Sequence, residues 1–226
     1  MHLLNAKSFE RPDQGRRRAL RLGALFALFA ARPGAWADEL ARTPSQTEGP
    51  FYPDRLPLDT DNDLLAIGDA ATPADGEPAW FSGRVLDAAG NPLRGALVEI
   101  WQCDARGAYL HSGSGNAERR DERFQGYGRF LTGLAGAWGF RTILPVAYPG
   151  RAPHIHVKVS RGGRHLLTTQ CYVKGHPGNE RDGIFRSLGA AGAAAVVADF
   201  VPLEGSRIGE RAAAWDIVLG LTPADG

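Results

Sequence analysis

Gly and Pro interrupt this chain every few residues, 29 and 15 of them among 226, and that punctuation constrains the fold more than any other feature. A helix interior tolerates neither residue well, whereas short strands joined by tight turns use both. The length suits one domain with a substantial core and is short for two of ordinary size. The expectation is an all-β fold: a two-sheet β-sandwich with an extended N-terminal arm and few short helices.

From Phe81 the stretch "FSGRVLDAAGNPLRGALVEIWQCD" sets Val85 before a turn at Ala88 to Asn91. It then alternates Leu97, Glu99 and Trp101 against Val98, Ile100 and Gln102. That pattern predicts a hairpin-like strand pair. Further strands are predicted at 130–133, 139–144, 154–160, 166–173 and 214–219. Residues 187–200 are rich in Ala but hold Gly189 and Gly192, and fit a helix or a loop. Residues 38–80 lack an apolar period and read as an arm lying over the domain, with 81–226 as the sandwich itself.

Residues 1–37 read as a signal peptide. Arg16, Arg17, Arg18 and Arg21 precede the apolar run Leu22 to Ala31, too short to span a bilayer, and Ala35-Trp36-Ala37 supplies small residues for cleavage. The expected destination is the periplasm or the exterior. The arginines loosely resemble a twin-arginine leader; an ordinary secretory signal or an uncut anchor also fits. Without this segment the chain keeps 19 basic and 23 acidic residues, about −4 in charge. That leaves no basic surface for nucleic acid. Cys103 and Cys171 could pair in an oxidising compartment, or stay free and buried.

The stretch "VAYPGRAPHIHVKV" carries the chemistry. In a strand, His154 and His156 project to one face with Ile155 on the other. Such a pair is a metal half-site, although two packed histidines fit it as well. Tyr148 lies six residues earlier, across a loop stiffened by Pro149 and Pro153. Tyr109 follows the strand Leu97 to Cys103 through a "DARGAY" turn. Taken singly, each tyrosine is better explained as a packed aromatic whose hydroxyl finds a backbone partner. Taken together, two phenolates, two neutral imidazoles and one hydroxide would give ferric iron a neutral site with room for substrate. Zinc in the same cage would be over-neutralised.

The segments "GPFYP", "GRVLDAAGNPLRGALVEIWQCDARGAY", "FRTILPVAYPGRAPHIHVKV" and "TTQCYV" resemble, in this order, the intradiol ring-cleavage dioxygenases of the protocatechuate 3,4-dioxygenase type. The likeness runs from about Thr43 to Phe185. It implies a β-sandwich holding one Fe(III) per chain on Tyr109, Tyr148, His154 and His156, with Tyr148 as the tyrosinate released when a catechol binds. It implies that Arg151 stabilises negative charge on the ring carbon attacked by O2, with Gln170 in the same pocket. Trp101, Ile184, Thr47, Gly49, Pro50 and Phe51 would line the substrate cavity. The implied reaction cleaves a catechol-type diol between its two hydroxyl-bearing carbons to a muconate-type diacid.

Three departures qualify the likeness. Gly150 stands where protocatechuate enzymes carry a second pocket tryptophan, and the segment from Tyr148 to His154 is shorter, which unsettles recognition of a ring carboxylate. The long helical N-terminal region of catechol 1,2-dioxygenases is missing, so their helical dimer interface is not expected; self-association is otherwise open. The rivals are a non-catalytic sandwich module, which "GRVLDAAGNPLRGALVEI" alone also resembles, a metal-binding pseudoenzyme, and a zinc hydrolase built on His154 and His156.

Overall fold

Ten short strands form between the turns, in a computed structural model that describes residues 40–67 and 73–223. The anticipated signal peptide lies outside the described residues. In chain order the strands are β1 (Pro78–Leu86), β2 (Ala96–Trp101), β3 (Tyr127–Leu131), β4 (Ala137–Ile143), β5 (His154–Arg161), β6 (Arg164–Val173), β7 (Val197–Ala198), β8 (Val201–Pro202), β9 (Arg211–Ala214) and β10 (Ile217–Val218). Two short helices, α1 (Gly183–Arg186) and α2 (Gly189–Ala195), follow β6.

The strands make two five-stranded sheets. In the first, β1 pairs antiparallel with β4 and parallel with β9 and β10, and β8 lies beyond β9. The second runs in the order β3-β2-β5-β6-β7. Phe81, Trp138 and Phe140 from the first sheet, with Trp215 from the link between β9 and β10, share one core with Val98, Ile100, Ile155, Val157 and Val159 from the second. Each fully buried side chain of this size contributes about 1.5–3 kcal/mol of transfer free energy.

Strand β5 shows how the core determines where a site can form. Ile155, Val157 and Val159 point between the sheets, so the two-residue period turns His154, His156 and Lys158 to the outer face. There the arm covers His156, beside Gly49, and Lys158, which pairs with Glu48 at 2.8 Å. Gln46 N donates to Thr168 O at 2.8 Å along the edge of β6, and Arg141 N donates to Asn62 O at 2.8 Å on β4.

The hairpin expected from Phe81 to Trp101 does not form: β1 and β2 belong to different sheets. Its turn is real, closed by Asp87 N to Asn91 O at 2.9 Å, and Leu93 N still returns to Val85 O at 2.8 Å. Gly95, at φ 71°, then redirects the chain into the second sheet. Alternation reports a half-buried strand but not which sheet it joins. The strand predicted at 214–219 is divided into β9 and β10 by Trp215, whose carbonyl presses on β1 where a Cβ on Gly83 would collide with it. Residues 187–200 resolve into α2 and β7. Cys103 and Cys171 are free and buried, which settles the pairing question against a bridge.

Candidate active site

Strand register builds the floor of the site. Tyr127, Trp101, His156 and Gln170 are successive cross-strand partners in one row, and His154 pairs with Tyr172 in the next. Cross-strand neighbours share a face, so all six side chains belong to the outer face of the second sheet. The Trp101 ring stacks on His156, centroids 4.9 Å apart and 11° from parallel.

Two turns bring in the tyrosines. Buried Asp104 accepts from Arg106 N and Ala108 N at 2.8 and 2.9 Å, closing the loop that delivers Tyr109. The Tyr109 hydroxyl lies 3.3 Å from His154 Nε2, which lies 3.1 Å from His156 Nε2. Tyr148 enters from a four-residue turn with Pro149 and Gly150 at its centre, Gly150 at φ 81°. That is the pairing a type II turn requires. Its ring is 5.6 Å from both the Tyr109 and His154 rings. The structure therefore brings together the four residues singled out as iron ligands.

These residues fit a cation of the ferric type. Burial, with the nearby Arg151 charge, lowers the His154 pKa to about 4, and burial with His154 and Arg151 holds His156 well below the usual value. Both imidazoles are neutral at pH 7 and offer lone pairs. The 2.6 Å contact between His154 Nδ1 and Ala152 O places the proton on Nδ1 and leaves Nε2 facing Tyr109 and His156. His156 Nδ1 is buried without a partner, while its Nε2 faces His154 Nε2 at 3.1 Å. Burial raises both phenols, Tyr109 well above 10, so a nearby cation is needed to ionise them. Among the described residues no group of three His, Cys, Asp or Glu gathers, which leaves a zinc-type cage without its third ligand.

Arg151 sits at the rim with every nitrogen engaged. Nη1 donates to the Tyr148 oxygen at 3.3 Å, Nη2 to Gln170 Oε1 and to the Tyr172 oxygen at 3.2 Å, and Nε to Asp182 at 2.9 Å. Burial opposes its charge, but Asp182, Tyr148 and Tyr172 outweigh that and raise its pKa. Asp182 and Tyr172 escaped the sequence reading. Tyr172 was within reach of it, two residues after Gln170 on the same face of β6; Asp182, thirty-one residues after Arg151, carries no periodic signal.

The arm supplies part of the wall. Phe51 stacks on Tyr109, centroids 5.0 Å apart, and Gly49 passes so near His156 that a Cβ would lie 3.3 Å from its Cε1. Thr47 accepts from Gln170 Nε2 through its carbonyl at 3.0 Å. Pro50 is exposed, and Ile184 is half-buried on α1, tied to the site through its backbone bond to Asp182. Neither side chain joins the tyrosine and histidine contacts described above.

Residues 47–220 match the family model described as Dioxygenase. The chain is 31% identical over 182 residues to hydroxyquinol 1,2-dioxygenase of Nocardioides simplex, covering 73% of this chain and 57% of that protein. It is 36% identical over 155 residues to the protocatechuate 3,4-dioxygenase beta chain of Burkholderia cepacia, covering 64% and 65%. The chain thus spans less than two thirds of the length of these relatives. Among solved structures, the dioxygenase domain of a dioxygenase carbohydrate-binding protein fusion from Streptomyces sp. SirexAA-E is 34% identical, with a TM-score of 0.61, covering 80% of this chain and 99% of that one.

Proposed function

This chain belongs to the intradiol ring-cleavage dioxygenase family, and from that premise we propose that it is an exported oxidoreductase. It would bind one ferric ion through Tyr109, Tyr148, His154 and His156, and use O2 to open a catechol-type diol between its hydroxyl-bearing carbons. The observation that carries this reading is the compact donor set, with the Tyr109 oxygen, His154 Nε2 and His156 Nε2 each within 3.3 Å of the next. Export rests on the arginine-rich pattern of residues 1–37.

Bound there, ferric iron would supply the Lewis acidity that makes both hydroxyls of a chelating diol ionisable near neutral pH. The remaining work falls to the chain. Tyr148, as a phenolate, would accept one substrate proton at its oxygen, where Arg151 Nη1 already donates at 3.3 Å. Arg151 cannot lose its own proton and serves as fixed positive charge beside the reacting ring. Trp101, fully buried against His156, excludes water from the back of the site.

The test is oxygen uptake by the iron-loaded chain with catechol, protocatechuate and hydroxyquinol. Uptake with at least one, yielding a ring-opened diacid, is the expected outcome. No uptake with any diol would leave a metal-binding protein without this activity.

A further inference from the structure

The two oxygens of Asp182 serve different ends. Oδ1 accepts from Ile184 N at 2.9 Å and Phe185 N at 3.1 Å, capping α1. Any good N-cap residue would do as much. Oδ2 turns the other way and accepts from Arg151 Nε and from Ala152 N, both at 2.9 Å. The Ala152 carbonyl in turn faces His154 Nδ1 at 2.6 Å.

Capping alone would not need Oδ2 or a charge. The Asp182 side chain is 0% exposed against 16% for Arg151, so this ion pair is shielded from water on the carboxylate side. With Nε held, the planar guanidinium has a set direction. Nη1 then meets Tyr148 while Nη2 meets Gln170 and Tyr172.

We propose that Asp182 is a positioning residue whose buried carboxylate aims the Arg151 guanidinium at the Tyr148 oxygen and holds the Ala152 peptide on which His154 is seated. Its kinetic consequence rests on the ring-cleavage reading; its structural half concerns the metal-free chain.

Asp182→Asn keeps the size and one acceptor oxygen, but turns one oxygen into an NH2 group facing N–H donors. Loss of such an outer partner typically lowers activity about 10–100-fold. The iron-loaded Asp182→Asn variant is expected to lose that much in kcat with KM changed by less than ~3-fold, because orientation rather than occupancy suffers. Added to Arg151→Ala, the same change should cost at least ~3-fold less than in the parent, since the group it aims is gone and only the hold on Ala152 remains to be lost. Equal losses in both backgrounds would overturn the proposal.

Amide hydrogen exchange on the metal-free chain gives a readout independent of turnover. Ala152 should exchange faster in Asp182→Asn than in the parent, with Val157 in the core of β5 unchanged; unaltered protection at Ala152 would also overturn it. Should the parent chain turn over no diol, the ring-cleavage reading fails and the exchange comparison still decides the structural half. Asp182→Ser, which retains a cap, replaces the asparagine variant if that one does not fold. If both fail while Arg151→Ala folds, the residue serves structure alone and the proposal falls.

Discussion

Tyr148 and Arg151 meet across a two-residue turn: Arg151 N donates to the Tyr148 carbonyl at 2.9 Å, and Arg151 Nη1 donates to the Tyr148 phenol at 3.3 Å. The same backbone turn that closes the loop therefore sets a cation beside a group assigned to proton transfer. Pro149 fixes one φ, and Gly150 takes the left-handed conformation that other residues resist.

Gly150→Ala isolates that backbone requirement, because a Cβ at this position meets nothing within 4 Å. The left-handed conformation costs a residue bearing a Cβ roughly 1–2 kcal/mol. Urea denaturation should show a loss of that size. Activity should fall further than stability suggests, since a shifted turn parts Arg151 from Tyr148.

Acid should destabilise the metal-free chain before most carboxylates titrate. His154 has a folded pKa of about 4 against an ordinary value near 6.5. Between those values the unfolded chain holds a proton that the folded chain does not, so stability is full above pH 6.5 and falls as pH drops toward 4. The shift corresponds to roughly 3 kcal/mol at most, and the lowered pKa of His156 acts in the same direction. Denaturant midpoints at pH 7.5, 6 and 5 check this; a midpoint flat across that range contradicts it.

Ferric iron should create tyrosinate where the metal-free chain has none. Burial holds Tyr109 and Tyr148 above the ordinary phenol value, so the metal-free chain at pH 7 is expected to show neither ionised. Loading iron should produce a red to burgundy charge-transfer band, weakened or shifted in Tyr109→Phe and in Tyr148→Phe. A colourless chain with iron bound would exclude phenolate ligation.

Glu99 anchors the sheet face behind the site. Its Oε1 accepts from Tyr127 at 2.5 Å and from Tyr52 at 2.9 Å, and the Tyr52 ring rests edge-on against Trp101 at 5.1 Å. Burial and the Glu99 carboxylate push the Tyr52 phenol up to about 12. Glu99→Ala strands two hydroxyls and should cost roughly 3 kcal/mol, whereas Glu99→Gln keeps an acceptor and should cost less than about 1.5 kcal/mol. Equal losses in the two variants would show that the acceptor is not what matters.

The sequence carried the site more legibly than the topology. His154 and His156 could be placed on one face because a strand repeats every two residues, whereas Tyr109 and Tyr148 joined them through the family resemblance, since flanking turns alone fit packed aromatics better. The hairpin was misread because Asp87 to Asn91 makes the same turn whether the next strand joins β1 or crosses to the other sheet. Asp182 stayed hidden because its two roles, helix cap and ion-pair partner, meet only once the chain has folded; a cap residue before a four-residue helix looks like punctuation.

Gly49 gives the sharpest test of the arm. Its φ is 73°, and a Cβ there would press on His156 Cε1 at 3.3 Å. Gly49→Ala thus combines a backbone penalty with a push on a ring assigned to the metal. Gly175 provides the control, with φ 71° and nothing within 4 Å of its Cβ position. Both alanine variants should lose roughly 1–2 kcal/mol of stability from the left-handed conformation. Only Gly49→Ala should also weaken iron binding, followed by titrating the charge-transfer band. If the two variants bind iron alike, His156 yields without consequence, and the arm is a cover over the site rather than part of what shapes it.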